Sequence, residues 1–360
     1  MTSLKNRLQR LRQRLAEKEI DAIFISQPEN RRYFSGFDGS SGYLLITPQN
    51  AILATDFRYI EQAKLQAPDY EVFRVKGDIG GWFPKLTAGL NLKKLGFEAG
   101  HITFSLYQQL SDILDKAPSH PRLIPVDGLV ESLRAVKEPG EIELITKAVA
   151  ISDAALKHIE GKIDVGMSEK EVAWEIEKFI RERGSETISC DIIVASGPNS
   201  ALPHAKPSSR AIQSGEPVVI DMGARVGGYS SDLSRTICLG TPDETFSKVY
   251  DAVFGAQLAA MAAIKEGMTG DEADKTARTV VEQAGYGEAF GHALGHGIGL
   301  VPHELPRLGP NSGDKLVSGM VFTIEPGIYL AGWGGVRIED VIVMEGGRVR
   351  VISKAKKMGV

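Results

Sequence analysis

An internal duplication constrains this chain more than any other feature. Ser214–Gly223 aligns with Ser318–Gly327, which sets Asp221 against Glu325. A second acid follows in each copy, Asp232 in the first and Glu339 in the second. Upstream, Leu202-Pro203-His204 matches Val301-Pro302-His303, and Gly166-Met167-Ser168 matches Gly267-Met268-Thr269. A period of about a hundred residues is too long for a solenoid and fits a half-domain closing on its own copy. Such closure brings equivalent positions around one centre. Four carboxylates meeting there cannot all stay ionised unaided, because like charges at short range oppose ionisation. A pair of divalent cations resolves that conflict.

The flanking pattern supports two αα-ββ halves. A helix is expected from Pro139, since proline suits a first helical turn and Ile142, Ile145 and Val149 continue the apolar stripe. Ser168 and Glu171 form a capping box that opens the next helix. Residues 245–265 and 271–284 repeat the pair. In each half a buried strand then ends near an acid: Pro217–Ile220 before Asp221, and Met320–Ile324 before Glu325. Gly227-Gly228 and residues 331–335 turn the chain. Continuous return strands are expected over Tyr229–Ile237, carrying Asp232, and Val336–Val343, carrying Glu339.

Ahead of this lies a different pattern. Leu4, Leu8, Leu11 and Leu15 predict an amphipathic helix. Strands are expected at Asp21–Ser26, Tyr43–Thr47, Ala51–Thr55 and Glu71–Val75, and a helix at Phe104–Leu114. The alternation predicts an α/β layer. The polar stretch His120–Asp127, with two prolines, reads as a linker, which gives domains of 1–126 and 127–360.

The oxygen ligands suit manganese, magnesium or calcium, and an imidazole would favour a transition metal. His292, His296 and His303, all in one glycine-rich stretch, are the imidazole candidates. The glycines are read as allowing close approach to a ligand. The HxxxH spacing of His292 and His296 is not a zincin helix, because no glutamate follows His292 and the segment is rich in glycine.

The chain has 360 residues, 42% hydrophobic and 24% charged, with a formal charge of −4. That balance offers no nucleic-acid footprint. No apolar run reaches bilayer length and no signal-peptide core stands at the start. Cys190 and Cys238 make no disulfide framework, so a cytoplasmic location is expected.

Taken together, these residues resemble the pita-bread metallopeptidases, the group of methionine aminopeptidase, aminopeptidase P, prolidase and creatinase. The upstream segments Asn30–Phe37 and Thr55–Tyr59 resemble the N-terminal domain of the aminopeptidase P and prolidase branch. The resemblance implies an α+β chain, with a creatinase-like α/β domain before a pita-bread domain. It implies two divalent metals per subunit, manganese first with cobalt or zinc as alternatives, held by Asp221, Asp232, His296, Glu325 and Glu339. The implied activity is hydrolysis of the Xaa-Pro bond in peptides or dipeptides, by a hydroxide bridging the metals. Glu325 would relay the proton, His303 would stabilise the tetrahedral oxygen, and His204 would bind substrate backbone. His292 would line the proline pocket. Arg337, on the strand face of Glu339, would orient the acids or meet substrate. A homodimer is expected. Phe37, Tyr59 and Trp82 read as local core, and the Gly39–Gly42 loop leans toward the aminopeptidase P branch. Two alternatives stay open: a related hydrolase with a non-peptide substrate, and a pseudo-peptidase binding module.

Overall fold

The computed structural model describes residues 2–358. The chain divides into two compact units, residues 1–134 and 135–360. The first runs α1 (Thr2–Glu17), β1 (Ala22–Ile25), α2 (Pro28–Ser35), β2 (Tyr43–Ile46), β3 (Ala51–Thr55), α3 (Ile60–Gln66), β4 (Glu71–Arg74), α4 (Ile79–Thr87), β5 (Lys94–Glu98), α5 (Phe104–Leu114), β6 (Arg122–Val126) and α6 (Leu129–Ala135). Its strands form a mixed sheet in the order β4-β3-β2-β1-β5-β6. The β2–β3 hairpin pairs in register from Tyr43↔Ala54 to Ile46↔Ala51. Phe37 and Trp82 are buried and Tyr59 half-buried, its hydroxyl 2.6 Å from Ser40 Oγ. Gly39 and Gly42 turn their carbonyls onto the Arg31 guanidinium.

The expected linker is corrected here, because its core is β6, paired in parallel with β5. Pro125 hid the strand, since proline gives no N–H to a ladder. An edge strand tolerates that loss, and β6 is an edge.

The second unit continues through α7 (Pro139–Glu160), α8 (Glu169–Glu182), β7 (Ile193–Ser196), β8 (Pro217–Met222), β9 (Arg225–Val226), β10 (Tyr229–Ser230), β11 (Leu233–Cys238), α9 (Glu244–Ala263), α10 (Gly270–Gln283), β12 (Gly295–Gly297), β13 (Glu304–Leu308), β14 (Val321–Ile324), β15 (Gly327–Leu330), β16 (Gly334–Arg337), β17 (Asp340–Glu345) and β18 (Arg348–Val351). The duplication is visible in its joints. Gly166 and Gly267 take φ of 94° and 90°, a region that favours glycine. Their amides donate to the Ile212 and Leu316 carbonyls at 2.9 and 2.8 Å. Ser168 and Thr269 then cap α8 and α10 with full capping boxes. Each half also has its own apolar core, one around Val172, Ile176 and Ile220, the other around Val253, Ala277 and Phe322.

Both return strands are broken where continuity was expected. One breaks between β10 and β11 at Ser231-Asp232, the other between β16 and β17 at Ile338-Glu339. At the first break the Ser231 hydroxyl accepts from the Ala224 N–H at 2.9 Å, where a ladder carbonyl would otherwise serve. At the second, Pro326 lies opposite and has no N–H to donate; its carbonyl accepts from Ile338 at 3.4 Å. The breaks take Asp232 and Glu339 out of the ladders, at equivalent places in the two copies.

Candidate metal centre

Asp221 lies in β8 with Ser234 as its cross-strand partner in β11. Asp232 stands at the break two residues before Ser234, and the ligand atoms of Asp221 and Asp232 lie within 4.8 Å of one another. Ser234 joins the hairpins: its hydroxyl donates to Glu339 Oε2 at 2.9 Å, and its carbonyl accepts from the Glu339 N–H at 3.0 Å. Glu325 follows β14, where its N–H donates to the Leu294 carbonyl at 2.8 Å. Thr323 accepts from the His296 N–H at 3.1 Å and donates to Glu325 Oε1 at 3.2 Å.

The glycines around His296 have a different use from the one expected. A Cβ on Gly295 would sit 2.0 Å from the Thr323 carbonyl oxygen, and one on Gly297 2.0 Å from that of Leu305. Neighbouring backbone of the same sheet makes the close approach, because β12 is pinched between β13 and β14.

A cavity of about 790 Å³ is lined by all five acid and imidazole candidates, Asp221, Asp232, His296, Glu325 and Glu339. His204, His292, His303 and Arg337 line it as well. Three overlapping groups have ligand atoms within 4.8 Å of one another: Asp232, His296 and His303; Cys190, Asp221 and Asp232; and His296, Glu325 and Glu339.

The electrostatics of the protein alone are strained. Burial, then the charges of Glu339, Asp221 and Glu325, push Asp232 far above the usual carboxylate range. Burial, then Glu325 and Asp221, do the same to Glu339. Burial also works against ionised Glu325 and His296, yet their mutual contact wins. With Nε2 3.2 Å from Glu325 Oε1, His296 rises to about 9 and Glu325 falls to about 2.

The donor set fits divalent cations. Asp221 Oδ1 is buried and accepts no hydrogen bond from the described residues. Such an atom is costly unless something positive meets it. His296 Nδ1 lies 3.1 Å from the Gly297 carbonyl, which can only accept, so Nδ1 carries hydrogen and Nε2 faces the acids.

Arg337, buried, has its donors directed at protein groups. It donates to Asp221 Oδ2 at 2.6 Å, Ser234 Oγ at 2.8 Å, Tyr329 OH at 2.9 Å and the Pro203 carbonyl at 3.1 Å. That geometry orients Asp221. His292 spends both ring nitrogens on the protein, with Nδ1 2.8 Å from the Ala293 carbonyl and Nε2 3.0 Å from Tyr329 OH. Burial lowers its pKa, so the ring is neutral and presents itself to the cavity as a largely apolar wall. His303 is also lowered, by burial and then by His296, whose ring centroid is 4.0 Å away. His204 and His303, paired by the duplication, are both exposed at the cavity.

Sequence reasoning missed Ser234, Thr323, Tyr329 and Cys190. Ser234 and Thr323 each stand two residues from an acid, so the strand period could have flagged them. Tyr329 and Cys190 gave no such signal.

Clustered acids with one cation-ready imidazole, in a cleft where two half-domains meet, define the class as a metal-dependent hydrolase. Comparison with known proteins narrows it. Residues 143–345 match Metallopeptidase family M24, and residues 7–136 match the Creatinase/Prolidase N-terminal domain. The chain is 37% identical to the Xaa-Pro dipeptidase of Pyrococcus furiosus, covering 99% of this chain and 100% of that one. It superposes on the Xaa-Pro dipeptidase from Bacillus anthracis with a TM-score of 0.94 at 43% identity, covering 98% of each chain. For the X-Pro aminopeptidase from Thermotoga maritima the TM-score is 0.89 at 38% identity, covering 97% of this chain and 98% of that one. The chain belongs to metallopeptidase family M24, in the branch that carries a creatinase/prolidase N-terminal domain. No described helix is long and apolar enough to cross a membrane.

Proposed function

We propose that this chain hydrolyses the Xaa-Pro bond, with Xaa-Pro dipeptides as its preferred substrates. One observation carries the reading: a cavity with the five-residue donor set at one place and the cationic side chains of Lys206 and Arg307 elsewhere in its lining. Both are exposed, so they can meet the free carboxylate that a dipeptide presents one residue beyond the cut. This outweighs the leaning of the Gly39–Gly42 loop toward the aminopeptidase P branch.

Asp221, Asp232, His296, Glu325 and Glu339 hold two divalent cations, with manganese favoured by four carboxylates and one imidazole. When bound, such cations polarise a carbonyl and acidify a water to near neutrality. Glu325 takes up the proton of the attacking water and passes it to the leaving imino nitrogen. Neutral His303 donates its N–H to the oxygen that becomes negative as the carbonyl turns tetrahedral. His204, which also lines the cavity, binds the substrate backbone. The apolar ring of His292 packs on the proline ring, and Arg337 keeps Asp221 aimed. A homodimer, on the family resemblance, and a cytoplasmic location, on the two unpaired cysteines, belong to the same proposal.

The test compares Xaa-Pro dipeptides with Xaa-Pro-Yaa tripeptides under added manganese, cobalt or zinc. Dipeptides should be cleaved faster, and Asp232→Ala should lose metal binding and activity together. Faster tripeptide cleavage would move the reading to an aminopeptidase. Cleavage of neither class would favour the related-hydrolase alternative.

A further inference from the structure

Outside the donor set, the second unit buries an ion pair that the proposed chemistry does not use. Lys137 Nζ lies 2.8 Å from Glu304 Oε1, with side-chain exposures of 1% and 6%. Lys137 stands just before α7, and its own amide is fixed by the Gly319 carbonyl at 2.9 Å. Its ammonium also donates to the Ala135 carbonyl at 3.2 Å. Glu304 opens β13 and directly follows His303.

Such a pair is a poor source of stability. Desolvating both charges costs about as much as their attraction returns, and apolar replacements of similar volume are often neutral or better. What a directional pair can supply is a unique register, and the β12–β13 ladder has need of one. Its pairing passes from His296↔Arg307 to Gly297↔Glu304, an irregularity right beside His296. In the connection, residues 298–303, the Glu304 carboxylate itself packs on Gly299, where a Cβ would meet Oε1 at 2.3 Å. An apolar side chain at 304 could slide along this surface; a carboxylate held by a buried ammonium cannot. Glu304 turns into the protein while the neighbouring His303 faces the cavity. Fixing Glu304 therefore fixes the Cα of His303.

Resting on the function proposed above, we infer that Lys137 is a positioning residue: through Glu304 it sets where His303 stands against the reacting carbonyl. His303 acts late, on charge that develops in the transition state, so misplacement should fall on kcat more than on KM.

Three variants test this: Lys137→Met, His303→Ala and the double variant, assayed on an Xaa-Pro dipeptide with manganese. Lys137→Met should lower kcat by about a hundredfold, the size expected for a displacement of roughly 1 Å, with KM within about threefold. In the His303→Ala background the same change should cost little more. A full penalty in that background, or a single-variant kcat within about threefold of wild type, overturns the inference. Glu304→Gln keeps the shape of the side chain and serves if Lys137→Met fails to fold; a wild-type kcat there overturns it equally. A second readout needs no catalysis. With only seven histidines in the chain, the ring signals can be assigned by NMR in metal-free protein, and the His303 signal should move in Lys137→Met. If the wild type cleaves no Xaa-Pro substrate, the function proposal fails, and an unmoved His303 signal separately decides against the positioning role.

Discussion

Replacing Arg337 by Met tests how the acid cluster is held together. The guanidinium is 4% exposed and is bonded to Asp221, Ser234, Tyr329 and Pro203. Its loss leaves Asp221 Oδ2 unpaired beside Oδ1, which already has no partner among the described residues. Removing one member of a buried ion pair costs about 3–5 kcal/mol, because the other charge stays buried. The three remaining hydrogen bonds, at roughly 1 kcal/mol each, are offset by the apolar packing of Met, which contributes about 1.5–3 kcal/mol. A loss of about 3–5 kcal/mol is therefore expected in metal-free protein. Cations at the site would supply the missing positive charge, so saturating manganese should shrink the deficit. Urea unfolding followed by fluorescence measures this. A Trp82→Phe background leaves Trp174 and Trp333, both in the second unit, as reporters. A metal-free loss below about 1 kcal/mol, or an equal loss with and without manganese, would refute the reasoning.

Two further outcomes follow from the same geometry. His296 (about 9), Asp232 and Glu339 all titrate above their ordinary values, so the folded metal-free protein binds more protons than the unfolded chain. Its stability should fall as pH rises from 6.5 through 9, while manganese binding should release protons and tighten with pH; calorimetry in buffers of different ionisation enthalpy counts those protons, and a count of zero would sink the argument. Gly295→Ala drives a Cβ to 2.0 Å from backbone and should cost at least about 2–3 kcal/mol, whereas Gly291→Ala, with open space around it, should stay within about 0.5 kcal/mol in the same urea assay.

Much of the fold was legible because its signals are local. The capping box at Ser168, the matching Gly-Met joints at 166 and 267, and the helix at Phe104–Leu114 each depend on a few adjacent residues. Local signals misled where context overrode them. Pro125 marked a linker, yet it sits in an edge strand that needs no N–H from it. Apolar runs suggested unbroken return strands, yet Ser231 and Pro326 interrupt them where the acids leave the ladder.

By itself, the sequence determined that two copies of one unit exist, that each carries two acids, and that Asp221 corresponds to Glu325 and His204 to His303. Strand and helix periods decide which residues share a face, and that information survives in one dimension. Only the tertiary structure decided what each face meets. The contacts of Arg337 with Asp221, Ser234 with Glu339, and Lys137 with Glu304 join segments far apart in the chain. No period encodes such a pair, because its partners are chosen by how the two halves close. Closure likewise left His292 and Tyr329 bonded to each other and His296 facing the acids. It also brought Lys206 and Arg307 to the cavity that the duplicated acids line.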